Sequence, residues 1–144
     1  MPAARIDPYL VSNFVVEIPG IKSTSFCEVF GLEAEVEVVD YRSGDDNTDS
    51  VRKLVGLNRV CQVTLKRGLT ADLSLWQWMD NTIQGNMTRQ NVTIVQLDAA
   101  HNPVVRWKLF NAWPCKYIGP TLNAQSSDVA IETLVLCYET LQRS

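Results

Sequence analysis

Apolar and polar residues alternate with a period of two along much of the chain, the pattern of strands with one face buried. In 13–18 (NFVVEI), Phe14, Val16 and Ile18 share a face. In 33–38, Glu33, Glu35 and Glu37 alternate with Ala34, Val36 and Val38. In 60–67, Cys61, Val63 and Leu65 alternate with Gln62, Thr64 and Lys66. Residues 91–97 (NVTIVQL) predict a fourth strand. The stretch 98–103 (DAAHNP) reads as a hairpin turn into a fifth, with Val105, Trp107 and Leu109 inward and Arg106 and Lys108 outward. Further strands fall around 113–118 and, longest of all, over 129–141.

One segment changes period. Between Thr70 and Gln84, Leu75, Trp76, Met79 and Ile83 recur at helical spacing. Thr70 suits the helix start, Asp72 a first turn where the helix dipole favours negative charge, and Gly85 the stop. About seven mostly antiparallel strands and one helix over 70–84 predict a mainly β fold, a sandwich or small barrel with a flanking helix. No repeat or composition shift divides the chain, so 1–144 reads as a single domain with an N-terminal arm over 1–9.

Two features exceed what a plain sandwich needs. The last strand is apolar on both faces: Val129, Ile131, Val135 and Cys137 on one, Ala130, Leu134, Leu136 and Tyr138 on the other. A half-solvated antiparallel strand alternates cleanly, so either the helix or another subunit covers the second face. The second feature is charge segregation. Residues 28–49 hold eight of the sixteen acids (Glu28, Glu33, Glu35, Glu37, Asp40, Asp45, Asp46, Asp49), and 51–67 hold five bases (Arg52, Lys53, Arg59, Lys66, Arg67) and no acid. A long loop over 43–58 lies between them, and long loops in compact domains are often functional. Either these are two solvated faces, or the acidic surface of one copy meets the basic surface of the next, head to tail.

The composition narrows the chemistry. In 144 residues, 46% are hydrophobic and 20% charged, with a net charge of −3, ordinary for a globular domain and without the basic excess of a nucleic-acid binder. The single histidine, His101, removes any metal site needing two imidazoles. Cys27, Cys61, Cys115 and Cys137 form no C-x-x-C pair and are expected as buried free thiols in a reducing cytoplasm. No secretion signal or membrane span is read. No phosphate-binding, nucleophile-elbow or zinc motif occurs, and the acids at 45–49 depart from a calcium-loop spacing. No catalytic, cofactor or metal residue is assigned.

The motifs themselves resemble a known family. F-x-V-E-I-x-G-I (Phe14 to Ile21), F-x-E-V-x-G-L-E (Phe26 to Glu33), V-D-Y-R-x-G (Val39 to Gly44) and R-K-L-x-G-L (Arg52 to Leu57) appear in order. V-T-L-K-R-G (Val63 to Gly68), L-W-x-W (Leu75 to Trp78), N-A-W-P-x-K (Asn111 to Lys116) and V-A-I-E-x-L-x-L (Val129 to Leu136) follow. Together they resemble the inner tube proteins of contractile phages and phage-tail-like injection systems. Val55 departs from the proline common in relatives, which bears on loop rigidity.

The resemblance implies a non-enzymatic subunit, without cofactor, that forms stacked hexameric rings as a hollow tube driven out by sheath contraction. Its implied partners are further copies of itself, the sheath protein, baseplate or spike and tube-terminator proteins, and a possible lumen cargo. Assembly in the bacterial cytoplasm is implied, in a particle either released or membrane-anchored. The same resemblance admits a tube-initiator or baseplate ring protein, or a type VI secretion-like ring protein. A small ligand-binding β-barrel is the distant alternative. Ring contact is expected to extend the sheet, with Leu134 and Val135 on the faces of the last strand. Stacking is expected to use Asp45, Asp46 and Asp49 against Arg52, Lys53 and Arg59.

Overall fold

A computed structural model describes residues 4–21, 26–45, 50–59 and 61–144. The described residues form nine strands and one helix: β1 (Phe14–Glu17), β2 (Phe26–Phe30), β3 (Glu35–Tyr41), β4 (Arg52–Arg59), β5 (Gln62–Gly68), α1 (Ser74–Ile83), β6 (Gln90–Leu97), β7 (Pro103–Ile118), β8 (Ile131–Cys137) and β9 (Thr140–Arg143). Mainly antiparallel β with one helix is the predicted class.

The architecture turns on β7, whose sixteen residues belong to two layers. Its first part pairs with β6 on one side and, over Trp107–Phe110, with β9 on the other; β1 extends this layer beyond β6. Its last part, Trp113–Ile118, pairs with β8, which continues through β5 to β2. Asn111 makes the bend. Its φ of 56° is a left-handed conformation that asparagine tolerates better than most residues, and its backbone N–H is held by Asn91 Oδ1 at 3.2 Å. Pro114 and the adjacent bulge then re-aim the strand, a position where a missing N–H is tolerated.

Between the layers lies the core. Val63 and Leu65 of β5, Leu134 and Leu136 of β8, Val92 and Ile94 of β6, and Leu109 meet Val16 of β1 and Leu75 of α1, all nearly or fully buried. Helix α1 starts later than the pattern predicts, because Asp72 stands before it and accepts the Ser74 N–H at 2.9 Å. Its inward face is Leu75 and Trp78 with Met79 packed beside them; Trp76 and Ile83, also predicted inward, are exposed. Trp76 instead lies edge-on against Tyr117, ring centroids 5.2 Å apart.

Beneath the helix start is a buried polar network. Arg67 and Glu132, facing each other in the β5–β8 register, are both 2% exposed and ion-paired. The second Glu132 oxygen accepts the Tyr117 hydroxyl at 2.8 Å, and Asp72 lies 3.4 Å from Arg67. Burial and this hydrogen bond push the Tyr117 hydroxyl up to about 12. The Ser74 N–H is the main cause holding Asp72 below the usual carboxylate range, with Arg67 adding to it.

The expected free-thiol core is not observed. Cys27 is exposed and Cys61, Cys115 and Cys137 are half-buried; of the four, Cys61, just before β5, packs against the core, while Cys27, Cys115 and Cys137 lie on an edge strand or the outer sheet face. His101, with φ 63°, closes the 98–103 turn, where Asp98 Oδ1 accepts two backbone N–H groups at 2.9 Å.

Candidate assembly surfaces

The segment expected as a loop over 43–58 is strand over its last seven residues, 52–58, which belong to β4. β3 and β4 form a two-stranded hairpin separate from the main sheet, and every residue of both is exposed except Gly56. A bulge beside Val36 and Val38 brings Gly56 so near the Glu37 carbonyl and Val39 that a side chain there would collide. At the base, Tyr138 anchors the arm by donating its hydroxyl to the Glu33 carbonyl at 2.8 Å. Gly31, in the left-handed region at φ 100°, turns the chain out of β2 where a Cβ would strike the Gln62 carbonyl.

The arm exposes apolar side chains on both faces. Val39 and Leu54 face each other across the ladder, with Tyr41 on the same side; Val38 and Val55 lie on the opposite side. Their exposures run from 42% (Val39) to 83% (Val55). An isolated two-stranded hairpin is marginal in water, and one with two apolar faces requires other surfaces to cover them.

The acidic and basic runs meet inside one chain. Antiparallel pairing sets Glu35 opposite Arg59 and Asp40 opposite Lys53, and the Lys53 ammonium lies 2.6 Å from Asp40. Charge segregation along the sequence is therefore used at least partly within the hairpin. Of the expected stacking residues, Arg52, Lys53 and Arg59 line β4 and Asp45 sits exposed near the turn. Asp46 and Asp49 lie outside the described residues.

The two expected ring residues separate. Leu134 is fully buried and packs in the subunit's own core. Its face of β8 is covered by the second layer and α1. Val135 points the other way, over a shallow groove of about 650 Å³ lined also by Thr64, Lys66, Cys115, Ile118 and Thr133. No named element covers that face among the described residues; Val135 is shielded to 9% exposure by its cross-strand neighbours.

Sequence periodicity missed the two open edges of this layer. β2 pairs only with β5, and the 113–118 part of β7 only with β8, among the described residues. Each edge carries an exposed apolar residue, Phe30 at 69% and Ile118 at 42%. Register puts both on the outer face, Phe30 opposite Thr64 and Ile118 opposite Thr133. The four strands β2-β5-β8-β7 alternate in direction, so the two edges run antiparallel to each other. A wide apolar cleft of about 340 Å³ between β1 and β2, lined by Phe14, Val29, Leu32, Ile94 and Trp107, marks where the two layers stay unjoined.

Among the described residues, no group of three or more His, Cys, Asp or Glu is placed to hold a metal ion. No helix among them is long and apolar enough to cross a membrane.

Known structures share this architecture. A chain of the sheath/tube terminator of an extracellular contractile injection system, PVC, is 26% identical, with 98% of this chain and 99% of that chain covered and a TM-score of 0.87. A chain of the six-fold-symmetrised baseplate of the anti-feeding prophage is 26% identical over 97% of both chains, with a TM-score of 0.84. A chain of the extended PVC sheath-tube complex is 24% identical, covers 95% and 91%, and has a TM-score of 0.85. No match is found among curated proteins. The family model described as T4-like virus tail tube protein gp19 matches residues 11–142, so the chain belongs to that family and is a structural subunit of a contractile tail tube.

Proposed function

We propose that this subunit closes into six-membered rings through its β2 and β7 edges, and that the β3–β4 arm joins one ring to the next in a hollow, non-catalytic tube. The arm carries the reading: a hairpin apolar on both faces and nearly fully exposed in the single chain is complete only against other copies.

Edge geometry supports the ring. Copies related by rotation about an axis along the strands keep their strand directions. The 113–118 edge of one copy and the β2 edge of the next then meet antiparallel, extending the ladder without a break. Pairing both edges removes the unpaired backbone groups that make an open sheet prone to uncontrolled association. Phe30 and Ile118 come toward the junctions, and the Val135 face turns to the same side of every subunit. The anti-feeding prophage baseplate, described as six-fold, supports the ring number.

The sheath, a terminator and a baseplate are the partners this reading names, since similar chains come from such complexes. A released particle assembled in the cytoplasm fits the same neighbours. Comparable similarity to the terminator and baseplate chains favours one second reading, a ring that ends or starts a tube. Negative-stain imaging of purified protein separates them. A tube subunit extends into tubes, and an end-ring stops at single rings; protein that stays monomeric at every concentration opposes both.

A further inference from the structure

We propose that Cys115 and Cys137 form an oxidisable dithiol that closes to a disulfide across the β7–β8 ladder when the protein meets a peroxide. Their juxtaposition is built by the backbone. Cys137 pairs with Trp113 and with Gln62, which fixes its side chain on the outer face of the layer. Two residues beyond Trp113, the bulge between Pro114 and Lys116 turns Cys115 toward the same face, where it lines the groove beside Val135.

Cys115 Sγ reaches the carbonyl of Val135, two residues before Cys137 on the same face of β8, and Cys137 is, after burial, the neighbour that raises the Cys115 thiol. Each sulfur is also held in place: Cys115 Sγ donates to the Val135 carbonyl at 3.5 Å, and Gln62 Nε2 donates to Cys137 Sγ at 3.8 Å. Cys27 and Cys61 have other surroundings. Cys27 Sγ donates to the Lys66 carbonyl, and Cys61 lies at the arm base near Tyr138.

The environment assigns the roles. Burial pushes the Cys115 thiol up to about 11, so it stays protonated near neutrality. Cys137, whose sulfur accepts a hydrogen bond from Gln62, is the attacking sulfur. Its thiolate takes one peroxide oxygen, forming a sulfenic acid as the O–O bond breaks and the other oxygen leaves as water. Cys115 sulfur then displaces the sulfenic oxygen, which leaves as a second water carrying the Cys115 proton. Two thiols and one hydrogen peroxide give one disulfide and two waters.

The staple joins β8 to the 113–118 edge. Its bearing on assembly rests on the proposed ring, but its formation does not and is read on single chains. Folded full-length protein is treated with hydrogen peroxide, alkylated and mapped without reduction. The expected product is lighter by two hydrogen atoms, links the Cys115 and Cys137 peptides, and unfolds at a higher urea midpoint, an upward shift that a phosphine reductant reverses. In C115A, peroxide is expected to leave Cys137 as a sulfenic acid captured by dimedone. If that variant does not fold, the wild-type peptide map still decides. A map linking another pair, or Cys115 and Cys137 both recovered as free thiols, overturns the proposal, and so does an unchanged or lowered urea midpoint for the linked chain.

Discussion

Replacing Glu132 by alanine tests the reading of the buried network most sharply. Arg67 and Glu132 are each 2% exposed, so neither charge has bulk water to fall back on. Glu132→Ala removes the nearest carboxylate from Arg67, leaves Asp72 as the more distant one at 3.4 Å, and takes the acceptor from the Tyr117 hydroxyl. Breaking a buried pair from one side costs about 3–5 kcal/mol. For a chain of this size that is a fall in Tm on the order of 10 °C.

The double variant Arg67→Met/Glu132→Leu removes both charges and fills the space with apolar atoms, so it is expected to cost less than Glu132→Ala alone. Urea unfolding of the monomer, followed by tryptophan fluorescence, measures all three chains. A Glu132→Ala loss below about 1 kcal/mol, the range of solvent-exposed pairs, refutes the desolvated network. A double variant as costly as Glu132→Ala or more refutes the coupling.

Other consequences follow from single features. Gly31→Ala is expected to cost about 2 kcal/mol or more in the same urea assay, since it combines a left-handed φ with a collision at the Gln62 carbonyl. Tyr138→Phe loses the hydroxyl bond to Glu33, about 1 kcal/mol at neutral pH. It should also flatten alkaline unfolding: burial raises Tyr138 from 10.0 to about 12, so that stabilisation is full below the first value and lost as pH rises through the second. Leu54→Asp changes an exposed arm residue and should leave monomer stability within about 0.5 kcal/mol while preventing tube growth in negative stain. Reversing the charges of Arg52 and Lys53 breaks the Lys53–Asp40 pair and should weaken stacking more than ring closure, seen as rings outnumbering tubes at low salt.

Particular residues show how far the sequence carried. Strands with one buried face, such as Val63 and Leu65 against Thr64 and Lys66, were legible because burial has the same period as the pleat. β2 was not, since a bulge between Phe26 and Glu28 breaks that period. The stretch 129–141 read as one strand but is two. At Glu139, whose N–H bonds the Phe110 carbonyl, the chain leaves β8 in one layer for β9 in the other. Conversely, Asn111 and Pro114 look like breakers and instead bend a single strand across both layers.

The helix stripe was misplaced by about one turn edge. Trp78 is buried and Trp76 is not, a choice made by the layer beneath rather than by spacing. The arm held the deepest ambiguity. Acidic residues followed by basic ones describe two faces of two copies and two strands of one hairpin equally well, and only the antiparallel register of Asp40 with Lys53 distinguishes them. Val36 and Val38 were visible as alternation, while Leu54 and Val55 fell in the segment read as a loop, and alternation alone states that a face is covered and not by whom.

Imaging the wild-type chain beside one in which residues 35–59 are replaced by a short glycine linker tests the central claim most directly. The described residues of the arm contribute nothing to the buried core cluster, so the sandwich and the β2 and β7 edges are expected to remain. Negative-stain microscopy at matched concentration should show tubes of stacked six-membered rings for the wild type and single rings for the armless chain. Tubes of equal length from the armless chain, or wild-type protein that forms no ring, would contradict the account.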